Sequence, residues 1–247
     1  WMSENGFFRY QGKLESLACL VEDYVYDDIN TVPKNHIYAG LNNLFGEVTW
    51  FYPGSGAASN NRSVTYNYMD SSNERQIWTT SSLARSTWSD SHIFGKPHGT
   101  EYDSSATSDS TVGNTDGVTT YFEHETGTNQ IKAGSASAIA ANIQSGDFDL
   151  DQRGLAGDGE YMMKIRRVIP DFLTQTGDAR ITLNLKNYPT DSEASSSLGP
   201  FETTTSTTKI DTRARARAIA LKIDNTSTGQ HWKLGTFRLD IQPDGRR

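Results

Sequence analysis

Three arginines, Arg213, Arg215 and Arg217, stand at spacing two in the stretch "KIDTRARARAIALKI". That spacing scatters side chains around a helix but sets them on one face of a β-strand, so the stretch reads as a strand with a cationic stripe. A guanidinium favours planar, two-pronged partners, and such a stripe can hold carboxylates of its own sheet, carboxylates of a neighbouring subunit, or phosphates. On strict alternation the same face continues into Ile219, Leu221 and Ile223, with Ala214, Ala216, Ala218 and Ala220 opposite, unless a bulge near Ala216 to Ala218 flips the register. The whole chain carries 23 Lys+Arg against 30 Asp+Glu, a net charge of −7. A free-standing nucleic-acid binder is normally net basic, so carboxylate partners are favoured over DNA. Arg213, Arg215 and Arg217 are therefore the candidates for ion pairing or subunit contact.

Other residue types are present without the spacing their chemistry needs. "DFDLDQRG" sets Asp147, Asp149 and Asp151 at calcium-loop spacing, but Gln152 stands where the tight turn requires Gly, and the twelfth position is Asp158 rather than Glu. Phe148 and Leu150 alternate with these acids, so a strand with an acidic outer face is the simpler reading. His36, His92, His98, His124 and His231 lie at no zinc-site spacing. The serine of "GSGAAS" lacks the strand-to-helix context of a nucleophile elbow, and no phosphate loop or dinucleotide fingerprint occurs. A glycosidase pair is defined by separation in space, so plentiful acids alone do not specify one. No catalytic residue, cofactor-binding residue or metal ligand is assigned. Cys19 is the single cysteine, which excludes an internal disulfide and reads as a small buried hydrophobe. The sequons at Asn61 and Asn225 carry little weight without a secretion signal.

The elements that must position these residues are nearly all strands. "NGFFRYQGKLESLAC" reads as a hairpin turning at Gln11-Gly12. Four aromatic and β-branched runs follow, beginning at His36, Glu47, Arg62 and Arg75, within the roughly 45 residues of one propeller blade. Trp50, Phe51, Tyr52, Tyr66, Tyr68 and Trp78 on these runs are expected in the core rather than on a sugar platform. "KPHGTEYDS" and "VTTYFEHETG" form a second, weaker unit, separated by the polar loop "SATSDSTVGNTDG". The only tempting helix, "GSASAIAANIQSG", is at least as good a strand.

From about Ala138 the strands lengthen. Six candidates alternate clearly, as in "ARITLNLKNY", where Ile181, Leu183 and Leu185 share one face and Thr182, Asn184 and Lys186 the other. The predicted fold is all-β: propeller-like antiparallel blades over residues 1–131, then a C-terminal β-sandwich over 132–247. Charge is divided along the chain, with −11 over residues 1–159 and +4 over 160–247. Such an acidic body with a basic end suits self-association or docking on an acidic surface. No stretch of eighteen apolar residues occurs, and the first ten residues lack signal-peptide character, so the expectation is a chain without membrane insertion.

The runs "NHIYAGLNNLFGEVTWFYP", "VTYNYMDSSNERQIWTTSSLARSTW", "HIFGKPHG", "SGDFDL", "IPDF", "LKNYP" and "RARARAIALKI...HWKLGTFRLDIQPDGRR" occur in this order. Together they resemble the C-terminal portion of the packaged-DNA stabilisation or tail accessory factor family, the tail hub or nozzle proteins of short-tailed bacteriophages. The resemblance implies a structural virion protein that is not an enzyme and uses no cofactor. It implies a homo-oligomeric ring, hexameric in the family, below the portal or adaptor protein. Such a ring extends and closes the DNA channel, anchors tail fibres, spikes or a needle, and lets double-stranded DNA pass without tight binding. The location implied is the virion tail, with the host cytoplasm during assembly. Ala216 stands where many relatives have Gly, which puts a glycine-dependent bulge there in doubt. Relatives carry a long N-terminal half, so the expectation is a fragment, or blades completed by another chain. The alternative class is a carbohydrate-binding or glycan-degrading β protein, since propellers and sandwiches host both.

Overall fold

Alternating apolar residues dictate strands through most of the chain, and the computed structural model forms several antiparallel sheets, none closed, with one α-helix among the described residues. Described are residues 1–72, 75–90, 93–103, 117–132, 134–150, 159, 161–188, 190–192 and 196–245. The chain forms two compact units, Trp1–Thr126 and Gly127–Arg247. A division at 131/132 would cut the strand Asn129–Lys132, which pairs with Ser135–Ala138.

In the first unit, Gly6–Tyr10 and Leu14–Leu17 pair around a turn in which Gly12 has φ +82°, a conformation that glycine adopts without strain. Met2–Ser3 completes this three-stranded sheet. Tyr38–Asn42, Glu47–Tyr52, Arg62–Asn67 and Ile77–Ser81 form a four-stranded sheet in chain order. A further sheet joins Thr87–Ser89, His98–Asp103 and Val118–Glu123. Phe7, Leu17, Val25, Trp50, Tyr52, Val64 and Tyr66 pack together, with Phe7 5.1 Å from Trp50 and 4.7 Å from Trp78 between ring centroids. Of the six aromatics expected inside, Tyr68 is the exception, at 44% exposure.

The helix Glu22–Asp28 lies where no helix was expected. Val21, Val25 and Ile29 recur every four residues, and Val25 with its neighbour Tyr26 faces the core, while Asp23 and Asp27 point outward. Glu22 and Asp23 in the first turn complement the helix dipole. Seven residues are too short for this pattern to outweigh the surrounding strand signals, and tertiary packing of Val25 decides the conformation. The other tempting stretch is extended, as Ser135–Ala138 and Asn142–Gln144.

In the second unit, Ala218–Asp224 and Ala179–Lys186 pair at the centre of a five-stranded sheet, flanked by Asn142–Gln144, Phe148–Asp149 and Ser197–Thr203. A second sheet places Met163–Ile169 between Ile210–Ala216 and Arg238–Pro243. Buried side chains from both sheets make one cluster: Met163, Ile165 and Val168 with Ile181, Leu183, Ile219, Leu221 and Ile223. Ile210–Ala216 and Ala218–Asp224 are consecutive in sequence but belong to different sheets, and Arg217 is the corner between them.

Asn225 closes this unit's first sheet against the incoming chain. It is 4% exposed, and its Oδ1 accepts from the Ala141 amide at 3.3 Å and Trp232 Nε1 at 3.1 Å, while its Nδ2 donates to the Ile139 carbonyl at 3.0 Å. This side chain is structural, which removes the sequon there as an acceptor in the folded state. Asn225→Ala removes three hydrogen bonds of this buried side chain to partly exposed partners, and urea unfolding is expected to show a loss of about 1–3 kcal/mol.

Candidate interaction surface

Along Ile210–Ala216 the exposure alternates without a fault: Ile210, Thr212, Ala214 and Ala216 are buried, and Asp211, Arg213 and Arg215 are exposed. The alanines are therefore the core side of the strand, and the arginines stand on the outer face of its sheet. Arg217 and the residues beyond it do not continue that face. Ile219, Leu221 and Ile223 are buried, so the register changes at Arg217, where the chain leaves one sheet for the other. The expected single stripe running from arginine into isoleucine does not form. Ala216, which ends its strand in ordinary extended pairing with Met163, bears no left-handed backbone.

Two of the three arginines meet partners, and different ones. Arg215 Nε donates to Asp244 Oδ2 in a short contact, and its Nη2 donates to the Asp244 carbonyl at 3.2 Å. Arg217 Nη1 donates to the Gly159 carbonyl at 2.6 Å. Arg213 has no ion-pair partner among the described residues. The Arg215 and Asp244 side chains are 50% and 40% exposed. Solvent screens such a pair, so Arg215→Gln is expected to change unfolding free energy by less than about 1 kcal/mol, read by urea titration.

Neighbouring strands add cations that the arginine run did not announce. Lys164 lies directly opposite Arg215, and Arg166 sits at the register shift between Ile165 and Arg167, beside Thr212 and Arg213. Arg238 pairs across from Ile169 on the far strand. Arg167 is taken by Asp211 at 3.1 Å, and Lys209 also reaches Asp211, at 2.8 Å. Salt-bridge contact with Arg167 and Lys209 lowers the Asp211 pKa, chiefly through the Lys209 hydrogen bond and then that of Arg167. Lys164, Arg166, Arg213 and Arg238 have no ion-pair partner among the described residues. Like charges facing across a ladder destabilise it, by roughly 0.7 kcal/mol per pair at about 6 Å in water. The alternation in "MKIRRVI" is the signal that would have found Lys164 and Arg166, and only the strand order could bring them beside Arg213.

The other candidates fall apart in space or into structural roles. Lys186 Nζ donates to Asp147 Oδ2 at 2.7 Å, and Asp149 Oδ2 accepts from the Gly159 amide at 2.9 Å. Asp151, Gln152, Asp158 and His92 lie outside the described residues. Among the described residues no group of three or more His, Cys, Asp or Glu could hold a metal ion. Cys19 is half-buried, and burial pushes its thiol up to about 11. No described helix is long and apolar enough to cross a membrane.

One polar cluster was not foreseen. Arg85, 3% exposed, donates from Nε to His124 Nε2 at 2.9 Å, approaches Glu101 Oε2 at 3.4 Å, and lies with its guanidinium carbon 4.1 Å from the Phe122 ring centroid. Burial, then the Arg85 charge, then His98 depress the His124 pKa to about 4. The ring of Trp88 packs 4.4 Å from His124 and fills space that any side chain at Gly40 would occupy. Nothing in "SSLARSTW" distinguishes a buried arginine from an exposed one.

In comparisons with known proteins, no family model and no curated protein matches this chain.

Proposed function

We propose that the chain is a non-catalytic structural protein of a short phage tail. In this reading it contributes to a homo-oligomeric ring below the portal, extends and closes the DNA channel, and anchors fibres, spikes or a needle. The first unit supplies propeller-like blades and the second a β-sandwich. The carrying observation is the outer face of the sheet Ile210–Ala216, Met163–Ile169 and Arg238–Pro243, where four cations stand without partners on a chain of net charge −7. A sheet face of that kind favours contact with another acidic surface over independent solvation, because an added carboxylate relieves like-charge repulsion. The ordered sequence resemblance supplies the phage-tail context. Electron microscopy of the purified chain, with immunolabelling of virions, tests the reading. Rings and label at the tail are expected; a monomer at tens of micromolar together with unlabelled tails overturns it.

A second reading, carbohydrate binding, has one observation in its favour. Phe94 and Tyr121, 61% and 63% exposed, flank His98, with centroid distances of 4.9 Å and 5.3 Å, and the Tyr121 hydroxyl contacts His98 Nδ1. Exposed rings suit sugar stacking. Retention on a glycan array that Tyr121→Ala abolishes would establish it; a blank array would remove it.

A further inference from the structure

We infer that the basic sheet face of the second unit docks on the acidic first unit of another copy of this chain, head to tail. This rests on the assembly reading above and names the surfaces that reading leaves open. Unit Trp1–Thr126 carries 7 Lys+Arg against 16 Asp+Glu, a charge of −9, and Gly127–Arg247 carries 16 against 14, a charge of +2.

The cations of the second unit are concentrated on one face. Lys164, Arg166, Arg213 and Arg238 come from three adjacent strands. Strands lie about 4.8 Å apart, and same-face residues along a strand are about 6.7 Å apart, so Lys164, Arg166 and Arg213 lie together, while Arg238, opposite Ile169, extends the face about 13 Å along its strand from the position facing Lys164, with Asp240 between. Lys164 faces Arg215 directly across the ladder, and only Arg215 of that pair is matched, by Asp244. An external carboxylate surface completes this arrangement, and arginine's fork donates two parallel N–H bonds to the two oxygens of a carboxylate.

The charge division selects the occupant. Two basic faces repel, which disfavours a two-fold contact of this patch with itself. The acidic unit of a second copy attracts it and leaves that copy's own basic face exposed to the next. Such a heterologous contact repeats from copy to copy and closes as a ring when the rotation permits. Nucleic acid would have to approach a molecule of net charge −7, so long-range attraction favours protein carboxylates.

The test uses the full chain. Light scattering after size exclusion, in about 0.05 M and about 0.5 M salt, should show roughly tenfold weaker association at high salt. The triple variant Arg166→Glu, Arg213→Glu, Arg238→Glu should weaken association at least as much, with an unchanged circular dichroism spectrum and melting temperature. Carbodiimide cross-linking of mixed light and heavy isotope-labelled copies should join Lys164 to carboxylates of Trp1–Thr126 on the other copy. Rings that persist in the triple variant overturn this docking while leaving the assembly reading intact. Cross-links confined within one copy also overturn it. So does salt-dependent binding of a 40-base-pair duplex (about four helical turns) that the triple variant abolishes without a change in oligomer mass.

Discussion

Deleting Arg217 is expected to unfold the second unit, whereas Arg217→Gln is expected to leave it folded. Strand side chains alternate with period two, so removing one residue inverts every side chain on one side of the deletion. Ala216 is buried in one sheet and Ile219 in the other, three positions on, and Arg217 supplies the odd residue that makes both inward-facing. Without it, one outcome turns Ile219, Leu221 and Ile223 to solvent. At about 1.5–3 kcal/mol for each large aliphatic side chain, that costs about 5–9 kcal/mol, comparable to the whole stability of a domain. The other outcome drives Arg213 and Arg215 into the core, which is worse for an unpaired charge. The point substitution removes the bond from Nη1 to the Gly159 carbonyl and leaves the residue count unchanged, while the Arg217 amide keeps its bond to the Lys186 carbonyl at 3.1 Å. Hydrogen exchange read by mass spectrometry should show lost protection in Met163–Ile169, Ala179–Lys186 and Ala218–Asp224 for the deletion alone. Wild-type protection in the deletion variant would show that Arg217 is not the register corner.

The same corner marks how far the sequence could be read. Period-two alternation made the strand Ala179–Lys186 legible because Ile181 and Leu183 are core residues and Thr182 and Lys186 are not. It made Arg213 and Arg215 legible as one outer face, but wrongly added Arg217 to it. It could not say whether "RARARAIALKI" was one strand or two, since both readings keep alternation locally and differ only in which sheet each half joins. The basic patch was half legible for a related reason. Arg213 and Arg215 announce themselves in a run, but Lys164, Arg166 and Arg238 reach the patch only through the order of the three strands. The helix Glu22–Asp28 was hidden by its length, because two turns give the 3.6-residue period too few repeats to stand out. The buried arginine was hidden outright: Arg85 sits among Ser, Ala and Thr, and its burial depends on Phe122, His124 and Glu101 arriving from later strands.

Arg85 is also where acid should act on the first unit. Arg85→Met is expected to destabilise the protein by about 3–5 kcal/mol at neutral pH, because breaking a buried pair leaves its partners desolvated. Glu101 loses the Arg85 guanidinium, the Phe122 ring loses its cation, and His124 Nε2 loses its donor. That last bond sets the pH dependence. His124 Nε2 accepts from Arg85, so the folded ring is neutral, and protonation would aim an N–H at another N–H beside a fixed positive charge. The folded pKa of about 4 lies below the ordinary 6.5, so between these values the unfolded chain binds the extra proton. Stability from this group is complete above about pH 6.5 and is lost as pH falls toward about 4, by at most about 3 kcal/mol, less what the ring's residual solvent contact screens. In Arg85→Met the leading cause, burial, remains while the Arg85 charge is gone, so the His124 pKa rises and the loss between these values becomes shallower. Urea titrations of both proteins at several pH values between 4 and 7 measure the difference. Parallel curves would mean that His124 does not sense Arg85; convergence at low pH identifies their contact as the acid-sensitive link in this unit.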